Sequence, residues 1–214
     1  MKMNTPKELY LWNKALLKFY MTLVEPLIRY FKNYFPLTAK EKEELSTRFS
    51  ERKIKRRGFV LQAGDVCRHF TFVVTGCLKM YAVDAAGKEH NLQFVAENDW
   101  IADMASFYAA KPGKVYIEAV EPTTVLQIKH EDLIYLYMNY HKFDRNFRII
   151  IEQKYIALQN RLLLNISATA EERYLYFLEQ YPHLANRLPN TQIASYIGIT
   201  PEFLSKIRKE RSLS

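Results

Sequence analysis

The segment WIADMASFYAAKPGKV, residues 100–115, combines a carboxylate with two lysines around a Pro-Gly turn. Cations beside a corner of small residues could hold the negative group of a small ligand, while the carboxylate accepts a hydrogen bond from it. A solvated loop that carries two lysines gives the same pattern, and this alternative stays open. The residues of this candidate effector pocket are Asp103, Met104, Ala105, Lys111 and Lys114.

A second polar set occupies PNTQIASYIGITPEFLSKIRKE, residues 189–210. Asn190 or Thr191 is suited to cap a short helix, Gly198 to make a turn, and Thr200 to cap a second helix. Small and aliphatic residues recur at the spacing with which the two helices of a helix-turn-helix lock together: Ala194, Ile193, Ile197, Ile199, Leu204 and Ile207. A plain helix hairpin does not require this combination.

With Leu204 and Ile207 facing inward, four residues lie on the outer face of the second helix: Glu202, Ser205, Lys206 and Lys209. A carboxylate accepts from cytosine N4 and a lysine donates to guanine O6 and N7, so this face is suited to reading base pairs. Thr191, Gln192 and Thr200 are suited to phosphate contacts. The segment therefore predicts contact with double-stranded DNA and no catalysis.

The composition agrees with a folded protein that has a polyanionic partner. The chain has 214 residues, 49% of them hydrophobic, and a formal charge of +8. Residues 1–57 are strongly basic, whereas residues 58–140 are net acidic, so the middle is not the expected polyanion surface. No run of about 18 apolar residues exists, which predicts a cytoplasmic protein without a membrane contact.

The cysteines and histidines predict no metal site. Cys67 and Cys77 lack the paired spacing of a zinc, iron–sulfur or disulfide framework. His69 and His90 have no ligand partners at a suitable spacing, so haem or metal binding and a cupin-type enzyme are both unsupported. We expect no cofactor and no catalytic residues.

Hydrophobic periodicity places these residues on elements. Residues 6–35 have helical spacing interrupted near Pro26, and Thr38 with Glu41 forms a capping box before a short helix that we expect to run into the basic cluster 52–57. Short β-rich runs follow Gly58 and predict an antiparallel sandwich or roll. Residues 142–165 predict one long helix with a coiled-coil-like stripe, which suits either self-dimerisation or packing on the chain's own β-domain. The stripe is Phe147, Ile151, Tyr155, Leu158 and Leu162.

In this order of parts, residues 36–210 resemble the Crp/Fnr family of bacterial transcription regulators, which includes the cyclic-AMP receptor protein and the fumarate-nitrate regulator. The roll is similar in FTFVVTGCLKMY (70–81) and in NDWIADMASF (98–107). The resemblance assigns base contacts to Glu202 and Lys206, with Ser205 nearby. Pro201 stands where the cyclic-AMP regulator has an arginine, so a different target sequence is expected.

The resemblance also bears on the effector pocket. Cyclic-nucleotide-binding members have Gly-Glu-Leu at the corner and Arg-Ser-Ala after a short helix, where this chain has Ala102-Asp103-Met104 and Gly113-Lys114-Val115. A lysine lacks the planar fork with which the family's arginine grips the cyclic phosphate. The sequence therefore predicts a degenerate nucleotide pocket for which cyclic AMP is an unlikely ligand and another small effector is possible.

The predicted fold class is α+β: N-terminal helices and an antiparallel β-roll, a jelly roll of the cyclic-nucleotide-binding kind, then a long dimerisation helix and a C-terminal helix-turn-helix. The predicted domains are an N-terminal helical extension (1–35), the β-roll sensor (36–140), the dimerisation helix (141–166) and the DNA-binding domain (167–214). The resemblance implies a homodimeric, sequence-specific DNA-binding regulator without enzyme activity, with RNA polymerase as a possible partner. The alternative is a small-ligand sensor that signals to a protein partner.

Overall fold

The computed structural model describes residues 21–212, and of Ser212 only the backbone. Its helices are α1 (Glu25–Phe31), α2 (Ala39–Arg48), α3 (Met104–Ala109), α4 (His130–Asn139), α5 (His141–Ser167), α6 (Ala170–Gln180), α7 (Asn190–Ile197) and α8 (Pro201–Ser212). Its strands are β1 (Phe49–Ile54), β2 (Phe59–Leu61), β3 (His69–Thr75), β4 (Leu78–Val83), β5 (Glu89–Val95), β6 (Trp100–Ile101), β7 (Tyr116–Ala119) and β8 (Thr123–Lys129).

The eight strands form two antiparallel four-stranded sheets, with the orders β1-β8-β3-β6 and β2-β7-β4-β5. Apart from β4 and β5, neighbours in each sheet come from distant parts of the chain, so the strands make a roll rather than a simple meander. Gly87 has a φ of 82° in the turn between β4 and β5, as the tight return predicted there requires. The predicted α+β fold with a jelly roll and C-terminal helices is confirmed.

Side-chain caps set the starts of two helices where the sequence placed them. Thr38 and Glu41 form the predicted reciprocal capping box at α2. Thr169 and Glu172 form another at α6.

The prediction that the helix after Thr38, now α2, continues into the basic cluster 52–57 is wrong. The helix ends at Arg48, and residues 49–54 form strand β1, which pairs with β8. Only Phe49 and Ile54 of this strand are buried, so its middle carries no apolar alternation that a sequence pattern could reveal. The pairing with β8 overrides the local helical tendency.

The structure describes only part of the predicted N-terminal extension. Residues 1–20 of the extension predicted over 1–35 lie outside the described residues. Beyond them, α1 begins at Glu25 with Pro26 in its first turn, and Leu27, Ile28 and Phe31 are buried. The domain boundaries themselves stay predictions.

The long helix α5 has two different halves. Phe147 is 1% exposed and packs its ring against Trp100, with centroids 5.0 Å apart. Phe147 therefore belongs to the chain's own core, and its predicted place in the dimer stripe is wrong. Ile151 is half-buried and packs against the same core. Tyr155, Leu158 and Leu162 are 64%, 63% and 59% exposed. The first half of the stripe therefore packs on the chain's own β-domain, and the second half is uncovered.

Candidate nucleic-acid interface and effector corner

The last two described helices form a helix-turn-helix. Gly198 ends α7 in the left-handed region, with a φ of 74°, and the amide of Ile199 donates to the carbonyl of Ala194. Thr200 then caps α8 by accepting from the amide of Phe203 at 3.3 Å. The six residues predicted to lock the two helices together are buried or half-buried.

One cap differs from prediction. Pro189, rather than Asn190 or Thr191, precedes α7, and no side chain caps that helix. The side chain of Asn190 is used otherwise: its Oδ1 accepts from Nη1 of Arg208 at 2.6 Å. Asn190 therefore contacts α8 instead of capping α7 as the local sequence predicts.

The outer face of α8 has the residues the sequence assigned to it. Glu202, Ser205, Lys206 and Lys209 are all exposed. Lys206 lies 3.9 Å from Glu210 in a solvated pair, which is weak, and Ser205 donates its hydroxyl to the carbonyl of Pro201 at 2.9 Å. Thr191 and Thr200 are also exposed. A helix presenting donors and one carboxylate in this way can enter a major groove.

Arg208 is a residue that the sequence reasoning missed. Its guanidinium turns inward, donating to the Tyr174 hydroxyl at 2.8 Å and to the Ala185 carbonyl at 2.9 Å, besides Asn190. Arg208 therefore ties α8 to α6 and to the start of α7, and it fixes the orientation of the exposed face of α8. Its spacing of four from Leu204 on the inner face was the available signal.

The helix-turn-helix is docked on the roll through strand β5. The Asn91 amide donates to the Ser195 hydroxyl, and Nδ2 of Asn91 donates to the Gln192 carbonyl, each at 3.1 Å. Phe94 of β5 packs against Tyr196, with ring centroids 5.4 Å apart. The side-chain oxygen of Gln192 is buried without a partner, and the residue is half-buried, whereas Thr191 is exposed.

Arg161 of α5 joins all three parts at this junction. Its Nη2 donates to the carbonyls of Asn91 and Tyr196, at 3.0 and 2.9 Å, and its Nη1 donates to the carbonyl of Leu92. The guanidinium also lies 3.8 Å from the centroid of the Tyr196 ring. One side chain therefore holds the roll, the long helix and the helix-turn-helix together.

A second arginine clamps the opposite side of the junction. Arg187 bridges the carboxylates of Glu97 and Glu121, and Glu97 also accepts from the amide of Gly76 at 2.8 Å. Burial opposes ionisation of Glu97, but the hydrogen bonds from Arg187 and Gly76 outweigh it and lower the pKa of this carboxyl. The clamp is therefore intact at neutral pH.

The effector corner is closed by its own side chains. Asp103 caps α3 by accepting from the amide of Ser106 at 3.1 Å. A Cβ atom placed on Gly113 would lie 2.2 Å from Oδ2 of Asp103, so this carboxylate lies against the position that the family's arginine takes in the resemblance. The Ser106 hydroxyl accepts from the Cys67 amide at 2.9 Å and donates to the Lys111 carbonyl at 2.5 Å.

The other predicted pocket residues are not brought together. Ala105, Lys111 and Lys114 are exposed, and Met104 is half-buried. Met104 lines a cavity of about 350 Å³ between the corner, α5 and the helix-turn-helix, together with Tyr155, Arg161 and Tyr196. Within residues 21–212, no group of three or more potential metal ligands occurs, and His90 instead lies 2.7 Å from Asp84 in a surface turn.

Comparisons with known proteins agree on one class. Residues 51–140 match the cyclic nucleotide-binding domain family. A curated relative, "Probable transcriptional regulator flp" of Lacticaseibacillus casei, is 26% identical over 88% of this chain and 85% of its own. FixK2 from Bradyrhizobium japonicum has a TM-score of 0.67 and 19% identity, covering 76% of this chain and 83% of that one.

The c-di-GMP responsive regulator CLP from Xanthomonas campestris has a TM-score of 0.66 and 14% identity, covering 82% of this chain and 92% of that one. At these identities the solved structures establish the fold. The domain match over residues 51–140 and the curated relative show that the chain is similar to transcription regulators over most of its length. Among residues 21–212, no helix is long and apolar enough to cross a membrane.

Mutation of Arg161 tests whether this side chain holds the junction together. Replacing Arg161 with alanine removes three hydrogen bonds that tie β5 and α7 to α5, so we expect faster amide exchange in β5 and α7 and an unchanged core of the roll. Hydrogen exchange measured by mass spectrometry checks this. Arg148→Ala on the exposed side of the same helix is the matched control. Equal protection in the Arg161 and Arg148 variants would show that Arg161 does not hold the junction.

Proposed function

We propose that this chain is a cytoplasmic, non-enzymatic regulator that reads an inverted-repeat DNA site as a homodimer, without cyclic AMP as its effector. The observation that carries the proposal is the helix-turn-helix, whose α8 presents Glu202, Ser205, Lys206 and Lys209 to solvent. A dimer would present two such helices to half-sites about one helical turn apart. RNA polymerase is a further partner that the family resemblance suggests.

The exposed half of α5 supports the homodimer. Apolar side chains cover one broad side of it: Tyr155, Ile156, Leu158, Leu162, Leu163 and Ile166. Each is more than half exposed, and a contiguous apolar surface of this kind is unusual in a monomer. A second copy of the same helix offers matching residues at coiled-coil spacing.

The geometry of the effector corner supports a regulator that is not controlled by cyclic AMP. The Asp103 carboxylate lies beside Gly113, so a phosphate held there would meet a negative charge without a guanidinium fork to offset it. Asp103 is in addition engaged as the cap of α3. The neighbouring cavity at Met104 is lined by Tyr155, Tyr181 and Tyr196, a surface suited to an aromatic molecule if an effector binds there.

DNA reading is tested by selecting bound sequences from random duplexes. We expect an enriched inverted repeat whose binding weakens steeply with salt. Lys206→Ala should relax preference at particular base pairs by about 1–3 kcal/mol, whereas Lys209→Ala should weaken binding to all sequences alike. Lys111→Ala, far along the chain on the roll, is the control. Selection without any enriched motif would favour the protein-partner alternative.

The dimer is tested by charging the exposed stripe. We expect the double variant Leu158→Glu and Leu162→Glu to sediment as a monomer and the unaltered chain as a dimer, because the carboxylates would be buried against their counterparts. Gln153→Glu places the same charge on the opposite side of α5 and should leave the dimer intact. A double variant that stays dimeric would locate the interface elsewhere.

Control by cyclic AMP is tested by thermal unfolding. A ligand present at 100 times its Kd raises stability by about 2.7 kcal/mol, so a true effector gives a clear rise in Tm. We expect no rise with cyclic AMP or cyclic GMP. A rise with cyclic AMP that Asp103→Ala abolishes would overturn this part of the proposal while leaving the DNA-reading part intact.

A further inference from the structure

Two adjoining cavities open at one end of the roll, beside the effector corner: Phe107, Tyr108 and Ala110 line the second, and no residue of α7 or α8 lines either. Their volumes are about 510 Å³ and 490 Å³, and they share a wall made by residues 66–69. Arg52 and Gln127 line the first cavity, and Lys129 and His130 line the second. Lys111 and Lys114 line neither.

Strand pairing puts the polar side chains of this region on one face. His69 is paired with Lys129 and Thr71 with Gln127 across β3 and β8, so the four side chains share a face. The Gln127 amide donates to the Thr71 hydroxyl at 3.0 Å, which confirms the shared side. Arg52 is paired with Val125, two residues before Gln127, and joins the same face from β1.

The cations of this basic end, defined as Arg52, Arg68, His69 and Lys129, are poorly neutralised. Arg52 donates to the carbonyl of Phe59 at 2.8 Å, and Lys129 lies 3.7 Å from Glu131 in a solvated pair. Within residues 21–212, neither Arg52 nor Arg68 has an ion-pair partner, although Asp65 is on the wall of the first cavity. Clustered cations around a concave surface attract an anion.

The local field acts on His69. Burial lowers the pKa of this imidazole, and the charges of Lys129, Arg52 and Arg68 lower it further. The three cations therefore lie close enough to one point to act together. An anion bound among them would offset their effect and raise the pKa of His69.

We propose that the basic end of the roll is a binding site for a small phosphate-bearing molecule. The two guanidinium groups offer the planar forks that match a phosphate, and Lys129 adds a point charge. The walls also include apolar and aromatic side chains, Leu61 and Ile117 in the first cavity and Phe107 and Tyr108 in the second. These surfaces suit the organic part of an organic phosphate.

The binding test follows the imidazole signals of the full-length protein by NMR during titration with inorganic phosphate and with phenyl phosphate, at matched ionic strength. We expect the signals of His69 and His130 to shift in a saturable way, while those of His90, His141 and His183 stay in place. Phenyl phosphate should bind more tightly than inorganic phosphate if the apolar walls take part, and equal affinities would reduce the site to an inorganic-anion site. Shifts that do not saturate, or that affect all five histidines alike, would overturn the proposal.

A pair of matched variants locates the site. The double variant Arg52→Ala and Arg68→Ala should weaken phosphate binding by about tenfold or more, the loss expected for removing charge-assisted hydrogen bonds. The double variant Lys111→Ala and Lys114→Ala removes the same charge from the predicted effector corner and should bind as the unaltered chain does. The reverse result would move the anion site to that corner. Unchanged Tm values would show that both variants fold.

The pH dependence gives an independent readout. Sulfate is the probe here, because its charge does not change between about pH 5.5 and 7.5. We expect sulfate to bind more tightly as the pH falls through the pKa of His69, since protonation adds a positive charge to the site. The other charged groups around the cavities are Arg52, Arg68, Lys129, Asp65 and Glu131. Burial raises the pKa of the Cys67 thiol, which therefore stays neutral in this range.

His130 is a second imidazole on the wall of the second cavity and serves as the matched control. His69→Gln should abolish the pH dependence and His130→Gln should preserve it. If His69→Gln keeps the full pH dependence, His69 does not face the anion and the proposed geometry is wrong. None of these measurements depends on DNA binding, so their failure would leave the proposed function standing.

Discussion

The packing of α5 onto the roll determines the position of every element that follows. Phe143, Phe147 and Ile150 are buried, and the ring of Phe147 lies between Trp100, Phe70 and Tyr137. Burial of each such side chain contributes about 1.5–3 kcal/mol, enough to hold the first half of a 27-residue helix in one direction. The second half contacts β5 through Arg161 and leaves an apolar side uncovered. Its exposed stripe and its arginine at the domain junction are both consequences of this anchoring.

The junction around Arg161 joins sensing and reading surfaces by contacts of moderate strength. Several of its hydrogen bonds use backbone carbonyls, while the side-chain oxygens of Asn91 and Gln192 and the Nε of Arg161 are buried without partners. Each unpaired polar group costs free energy, so the docked arrangement is less stable than a fully satisfied interface of the same size. An event that changes either side of this junction can therefore shift the position of α7. That makes Arg161 and Asn91 the residues through which the roll would communicate with the DNA-reading helix.

Charge in the roll is distributed differently from what its net acidity suggests. At the effector corner the Asp103 carboxylate lies against Gly113, and Lys111 and Lys114 are exposed. Cations from β1, the β2–β3 connection, β3 and β8 instead meet at the basic end of the roll. The ladder β1-β8-β3 produces this convergence, because paired residues on neighbouring strands share a face. A change of ligand within this fold thus needs only a few surface substitutions, with the core unchanged.

Local signals in the sequence determined several features of this protein. Capping boxes at Thr38 and Thr169, the turn at Gly198 and the outward residues of α8 follow from contacts within a few residues, which a sequence pattern records directly. The tertiary structure alone decided that residues 49–54 pair as a strand, that Phe147 belongs to the core, and that Gln192 and Arg208 turn inward. It also decided that Arg52, Arg68 and Lys129 share a site. Each of these depends on partners dozens of residues away, and no local pattern of side chains encodes which distant strand or helix will supply them.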